Sequence, residues 1–315
     1  MKLLTPAILI FFLYSTSLCQ AQVNNSSISA IERPKLVVGL VVDQMRWDYL
    51  IRYYERFGNG GFRRLMRDGY NFESASIPYG PTVTAAGHTC IYSGSVPALH
   101  GIVGNDWVEN NTGEIMYCTR DRNVQPAGGT TVQGQMSPRN LLISTFPDEL
   151  RIATNFRSRS FGIAMKDRGG ILAAGHAANA AYWFEDYSGK WISSTWYMAS
   201  LPAWVDKFND QRQPDTYLRK GWDLLYPVAT YLQSTRDSQA YEKKLPDEIT
   251  TTFPHRYAAK PNDYNPFRVS PYGNTYTLDF AETLIREEKL GKSGFTDVLC
   301  ISLSSTDYIA HRFGP

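Results

Sequence analysis

Val298-Leu299-Cys300-Ile301-Ser302-Leu303 is a nearly unbroken apolar run that passes directly into Ser304-Ser305-Thr306-Asp307-Tyr308-Ile309-Ala310-His311. A continuous rather than alternating run reads as a strand covered on both faces, the pattern of a parallel sheet. Residues 36–42 and 160–165 read the same way. Helical patterns lie between them, at 47–56, 62–68, 140–154 (with Ser137-Pro138 at its start) and 277–289. Strands alternating with helices predict an α/β fold: a doubly wound, mostly parallel sheet flanked by helices.

Each apolar run stops at a polar residue able to do chemistry: Asp43 after the first, Lys166-Asp167-Arg168 after the second, Asp307 after the third. Ligands of open α/β sheets bind beyond the carboxyl ends of the strands, so these ends are expected to face one crevice. Asp307 and His311 are four apart, which places them on one helix face at metal-sharing distance, with Thr306 or Ser305 as cap. Ordinary solvated helix faces carry the same pair. Thr84 follows a Gly80-Pro81 turn at an expected helix start, where unpaired N–H groups and the helix dipole favour a phosphoryl group, although an N-cap threonine has the same signature. For His88 an internal hydrogen bond is the simpler expectation. Lys166 and Arg168, two apart in an extended segment, would project to one side and suit a dianionic oxygen cluster or, equally, a solvated turn. Asn105, after the Gly104 turn, is an amide donor with little signal of its own.

The rest of the chain sets the boundaries. With 315 residues, 43% hydrophobic and 20% charged, it is long enough for a large α/β domain, and disorder, collagen and coiled coil are excluded. A net charge of +2 leaves no uniform basic field for nucleic acid or an anionic membrane, so any anion must be held locally. Residues 1–21 read as a secretory signal peptide cleaved after Ala21: a lysine, an apolar run well short of the ~20 residues of a membrane span, then small residues. Lipidation at Cys19 is disfavoured by Leu18, and export to a bacterial periplasm without a stable membrane anchor is expected. Residues 22–34 are a polar lead-in. Of the other cysteines, Cys90 and Cys118 are free to pair in an oxidising compartment and Cys300 reads as a core thiol; none has zinc-ribbon spacing. Five of the seven Trp fall in 173–276, which is predicted to be an aromatic-rich cap insertion, or else a lobe packed for stability. The α/β domain is then expected over 35–172 together with 277–315.

Taken together, Asp43, Thr84 before Ala85-Ala86-Gly87-His88, His100-Gly101-Ile102, Gly104-Asn105-Asp106-Trp107, Lys166-Asp167-Arg168-Gly169 and Ser305-Thr306-Asp307-Tyr308-Ile309-Ala310-His311 resemble the alkaline phosphatase superfamily. The resemblance is to the branch related to type I phosphodiesterases and nucleotide pyrophosphatases, and within it to secreted bacterial alkaline phosphatases that use a threonine nucleophile. It implies an alkaline phosphatase-like fold and a phosphomonoesterase with two Zn2+ ions acting on small-molecule phosphate monoesters. Asp43 and Thr84 would bind one zinc, with Thr84 as nucleophile, and Asp307 and His311 the other. Asn105, Lys166 and Arg168 would hold the phosphoryl oxygens. The family also supplies a further Asp-His pair and a later His downstream, so the chain ending at Pro315 is expected to be a C-terminally truncated fragment. A diesterase or pyrophosphatase on the same scaffold, and an inactive zinc- or phosphate-binding remnant, remain as alternatives. A sulfatase does not fit, since neither Thr84 nor Cys90 lies in a Cys-x-Pro-x-Arg context.

Overall fold

The computed structural model describes residues 32–257 and 260–314; the signal peptide, Cys19 and most of the polar lead-in lie outside them. Contacts separate residues 1–34 from 35–315, and the fold is that of the second unit. Its centre is a six-stranded sheet. In chain order the strands are β1 (Leu36–Val42), β4 (Pro126–Ala127), β5 (Ser160–Ala164), β6 (Ala180–Glu185), β7 (Lys190–Ser194) and β8 (Asp297–Leu303), while β2 (Asp106–Val108) and β3 (Ile115–Tyr117) form a separate hairpin. The spatial order is β1-β8-β5-β6-β7-β4. β1, β8, β5 and β6 are parallel, and β7 and β4 close one side antiparallel.

The three strands expected from apolar runs are therefore neighbours, with β8 between β1 and β5. β5, β6 and β8 are buried throughout, as their compositions require. β1 is not: it lies at the sheet edge, and Val38 and Leu40 are 48% and 47% exposed on one face. On the other face Tyr92 packs so closely that a Cβ at Gly39 would sit 2.4 Å from its hydroxyl.

Eleven helices of the described residues flank these strands. They are α1 (Tyr49–Arg52), α2 (Gly61–Asp68), α3 (Thr84–Ser93), α4 (Pro97–His100), α5 (Phe146–Ala153), α6 (Asp167–Ala174), α7 (Ala203–Asn209), α8 (Gln213–Lys220), α9 (Asn265–Arg268), α10 (Pro271–Glu287) and α11 (Ser305–Phe313). Two starts differ from the sequence reading for local reasons. The helix expected from residue 140 begins at Phe146, because Thr145 and Asp148 form a reciprocal capping box there, while the Ser137 hydroxyl is engaged by Asp121 at 2.7 Å. The helix expected at 277–289 begins at Pro271, whose missing N–H suits a first helical turn. α6 lies directly on β5: a Cβ at Gly162 would approach the Gly170 carbonyl oxygen to 2.2 Å, so this crossing needs glycine.

The boundary drawn at 173 is corrected by the sheet. β6 and β7 fall inside the stretch assigned to a cap, and Trp183 and Trp191 belong to the core. Trp191 stacks on Phe280 of α10 at 4.6 Å, with Phe184, Phe208, Phe267 and Tyr276 around them. Each such ring contributes about 1.5–3 kcal/mol by burial, so Tyr182, Trp183, Phe184, Trp191 and Phe208 are core packing, while Tyr187 and Trp196 are exposed. Residues 221–257 contain one short 3-10 turn, Val228–Thr230, and are held by the buried pair His255–Glu248 at 3.1 Å, against which Trp222 and Phe313 of α11 pack.

Candidate active site

The order β1-β8-β5 brings three strand ends to one point. The Asp43 N–H still donates to the Leu303 carbonyl at 3.1 Å, extending the ladder one residue beyond β1 and fixing the carboxylate beside β8. Lys166 is the residue capping α6, immediately after β5. Asp307 is in the first turn of α11, immediately after β8. The Lys166 ammonium, 2% exposed, donates to Asp43 Oδ2 at 2.7 Å and to Asp307 Oδ2, and lies 3.3 Å from Thr84 Oγ1. The Tyr308 ring faces it at 4.8 Å. Two buried carboxylates that share one ammonium repel each other, so the space between them selects a positive charge.

Thr84 is the first residue of α3, and Val83 occupies the N-cap position without a side-chain hydrogen bond. The N-cap reading of Thr84 is thereby excluded. Its hydroxyl instead donates to Asp43 Oδ2 at 3.1 Å. The next amide, Ala85 N–H, donates to Asn105 Oδ1 at 3.0 Å. That contact uses the oxygen of the Asn105 amide and not its NH2 donors. His88 is buried: Nδ1 donates to the Thr84 carbonyl and Nε2 accepts from the Ser302 hydroxyl, both at 2.8 Å. Burial lowers its pKa against the opposing pull of Asp43, which keeps the ring neutral. His88 thus ties the first turn of α3 to β8.

Lys166 and Arg168 do not share an extended segment. The chain turns into α6 at Asp167, so Lys166 reaches the carboxylates while Arg168 Nη1 donates to the Tyr117 hydroxyl at 2.8 Å. The same hydroxyl donates to Asp167 Oδ1 at 2.8 Å, and Thr119 donates to Asp167 Oδ2. Burial opposes the Arg168 charge, but Tyr117, Asp167 and Tyr308 outweigh it and raise the pKa. Tyr117 and Ser302 were not singled out from sequence, since a tyrosine in a short strand and a serine in an apolar run carry no pattern of their own; Asp167 and Tyr308 lay within the motifs but were given no role of their own.

His311 lies on the Asp307 side of α11, Nε2 3.5 Å from Asp307 Oδ1, and its side chain is 73% exposed. The start of α11 is capped neither by Thr306 nor by Ser305: Asn274 of α10 accepts the Ser305 N–H at 2.9 Å and donates to the Thr306 hydroxyl at 3.2 Å. Ser304 Oγ and Ser305 Oγ are buried without hydrogen-bond partners among the described residues. Two donor pairs suit divalent ions by chemistry, Asp43 with Thr84 and Asp307 with His311, and Lys166 places a cation between their carboxylates. No group of three His, Cys, Asp or Glu gathers among the described residues, and a pair is fewer than the three protein ligands usual for catalytic zinc. Cys90, Cys118 and Cys300 are free thiols. Instead of pairing with Cys118, Cys90 accepts from His100 Nε2 at 3.2 Å, the tautomer being set by Ile102 N–H donating to Nδ1.

Residues 37–315 match the family of type I phosphodiesterases and nucleotide pyrophosphatases. Alkaline phosphatase PhoV of Synechococcus elongatus is 52% identical over 286 residues, spanning 90% of this chain and 52% of the relative. A protein of Myroides odoratus named calcium-transporting ATPase is 54% identical over 287 residues, with 90% and 52% covered. The crystal structure of alkaline phosphatase PafA superposes with a TM-score of 0.88 at 48% identity, covering 91% of this chain and 56% of that one. PafA also has a solved variant substituted at a threonine, an asparagine, a lysine and an arginine. The chain spans about half the length of the curated relatives it matches.

Proposed function

Because the chain belongs to the type I phosphodiesterase / nucleotide pyrophosphatase family, we propose that it hydrolyses phosphate monoesters with Thr84 as the nucleophile. The observation that carries this reading is the meeting of Asp43, Thr84, Lys166 and Asp307 at adjacent strand ends, with the Asn105 amide beside the start of α3. The names of two relatives, and the residue types changed in the PafA variant, support it.

Monoester hydrolysis is among the slowest uncatalysed reactions, so positioning and charge stabilisation must do most of the work. Asp43 and Thr84 would hold one divalent ion and Asp307 with His311 a second, the remaining ligands being the Asp-His pair and His that the family supplies downstream. When bound, two zinc ions stabilise the negative charge on the attacking and leaving oxygens. Thr84 Oγ1 attacks phosphorus and its proton passes to Asp43 Oδ2, the acceptor it already faces. The bond from phosphorus to the leaving oxygen breaks, and that oxygen takes a proton from water. Water then attacks the phosphothreonine and the bond to Thr84 breaks; Thr84 Oγ1 takes back the proton held by Asp43, the proton lost by the attacking water neutralises the hydroxide left in the first step, and phosphate leaves. Lys166, Arg168 and the Asn105 amide hold the non-bridging oxygens throughout. The setting we propose is the bacterial periplasm, where the product would supply inorganic phosphate; among the described residues no helix is long and apolar enough to cross a membrane.

The purified full-length protein is expected to hydrolyse p-nitrophenyl phosphate at alkaline pH, to lose that activity to a chelator, and to lose about a thousandfold or more on Thr84→Ala. Activity insensitive to chelator, or retained by Thr84→Ala, would overturn the reading.

A further inference from the structure

A cavity of about 300 Å³ is lined by residues at the ends of β5 and β6. Tyr117, Arg120, Gln133, Arg168, Arg268 and Tyr308 line it together with Lys166, whose ammonium donates to Asp43 and Asp307 and lies 3.3 Å from Thr84 Oγ1, so the two sites share that side chain. Its charges do not balance. Lys166 is matched by Asp43 and Asp307, and Arg268 by Asp186 at 2.6 Å while stacking on Tyr308 at 4.8 Å. The oxygens of Asp167 are taken by Tyr117 and Thr119. Arg168 is assigned to the phosphoryl group. Arg120 is left over, exposed and with no ion pair among the described residues. Arg168 Nε and Arg268 Nε are also buried without a hydrogen-bond partner.

A surplus guanidinium beside a dianion site is of use to a second anion, and its planar fork matches a carboxylate. Buried Trp183 and Phe184 form the floor, which strengthens any charge pairing above them. At about 300 Å³ the cavity is at the small end of ligand pockets, with room for a short acid. Resting on the phosphoryl site proposed above, we infer that this cavity is a leaving-group subsite for a small substituent carrying its own carboxylate, read by Arg120. The preferred substrates are then short phosphorylated carboxylic acids.

The test uses two non-hydrolysable ligands of equal chain length, propylphosphonate and 3-phosphonopropionate, titrated calorimetrically into the metal-loaded protein. The carboxylate should tighten binding by about tenfold or more, the worth of one charge-assisted hydrogen bond. That ratio should fall to about one in Arg120→Ala and below one in Arg120→Glu; because Arg120 is exposed, neither variant threatens folding. Equal affinities in the unaltered protein, or a preference that survives Arg120→Glu, overturn the subsite while leaving the phosphoryl site standing. Failure of both phosphonates to bind the folded, metal-loaded protein would remove the phosphoryl site and the subsite together.

Discussion

Asp43, Thr84 and Asp307 were legible because each follows or opens a strongly patterned element, and the strand order then brings them within hydrogen-bond reach. Arg168 was legible as a cation but not in its setting, because the Tyr117 that orients it comes from a hairpin remote in sequence. A monoester carries close to two negative charges and a diester one, so a guanidinium at the non-bridging oxygens favours the former, by up to ~4 kcal/mol at 4 Å. Arg168→Ala should therefore reduce monoesterase kcat/KM far more than diesterase kcat/KM, and equal losses would refute that selectivity. Tyr117→Phe removes only the hydroxyl that aims Arg168. Because that hydroxyl accepts from Arg168 and donates to Asp167, the expected effect is a loss of about tenfold or more confined to monoesters, from two missing hydrogen bonds to charged groups, measured on the same substrate pair.

Strands were the elements best read from sequence, because an unbroken apolar run has one economical explanation, whereas the aromatic stretch after residue 173 mixes core rings with surface loops and has no clean period. α5 shows how one side chain fixes an element. Asp148, buried within its capping box, accepts from the N–H of Thr145 at 3.0 Å, of His176 at 3.2 Å and of Ala177 at 2.7 Å, tying α5 to the turn between α6 and β6. Burial pushes its pKa up, but these donors and the His176 side chain outweigh it and hold the carboxyl below its ordinary value. Its contribution is thus present above the carboxylate range and lost as pH falls through the depressed value. His176 has the opposite sign: raised by its hydrogen bond to Asp148, it stabilises fully below the ordinary histidine value and loses that effect as pH rises through the raised one. Asp148→Asn should cost about 2–3 kcal/mol in denaturant melts near pH 6, and the deficit should shrink as pH falls below about 4. A deficit independent of pH would mean that the carboxylate charge has no part in it.

At the scale of the whole molecule, the edge position of β1 has two effects. Its Val38 and Leu40 leave an exposed apolar face, and a strand edge unpaired among the described residues with such a face invites association. Leu40→Lys should lower self-association in light scattering and leave the melting transition nearly unshifted, since surface changes are usually within about 0.5 kcal/mol. A large drop in melting temperature would show that this face is packed in solution. The second effect concerns synthesis. Leu36 pairs with Asp297 and Ser160 with Val298, so the ribosome makes both flanking partners long before the strand that joins them. Until that strand emerges, β1 and β5 each wait with an open side, and Asp43 and Lys166 have no common neighbour to bring them together. A chain ordered this way cannot assemble the Asp43, Lys166 and Asp307 cluster until its central strand inserts between the two that wait for it.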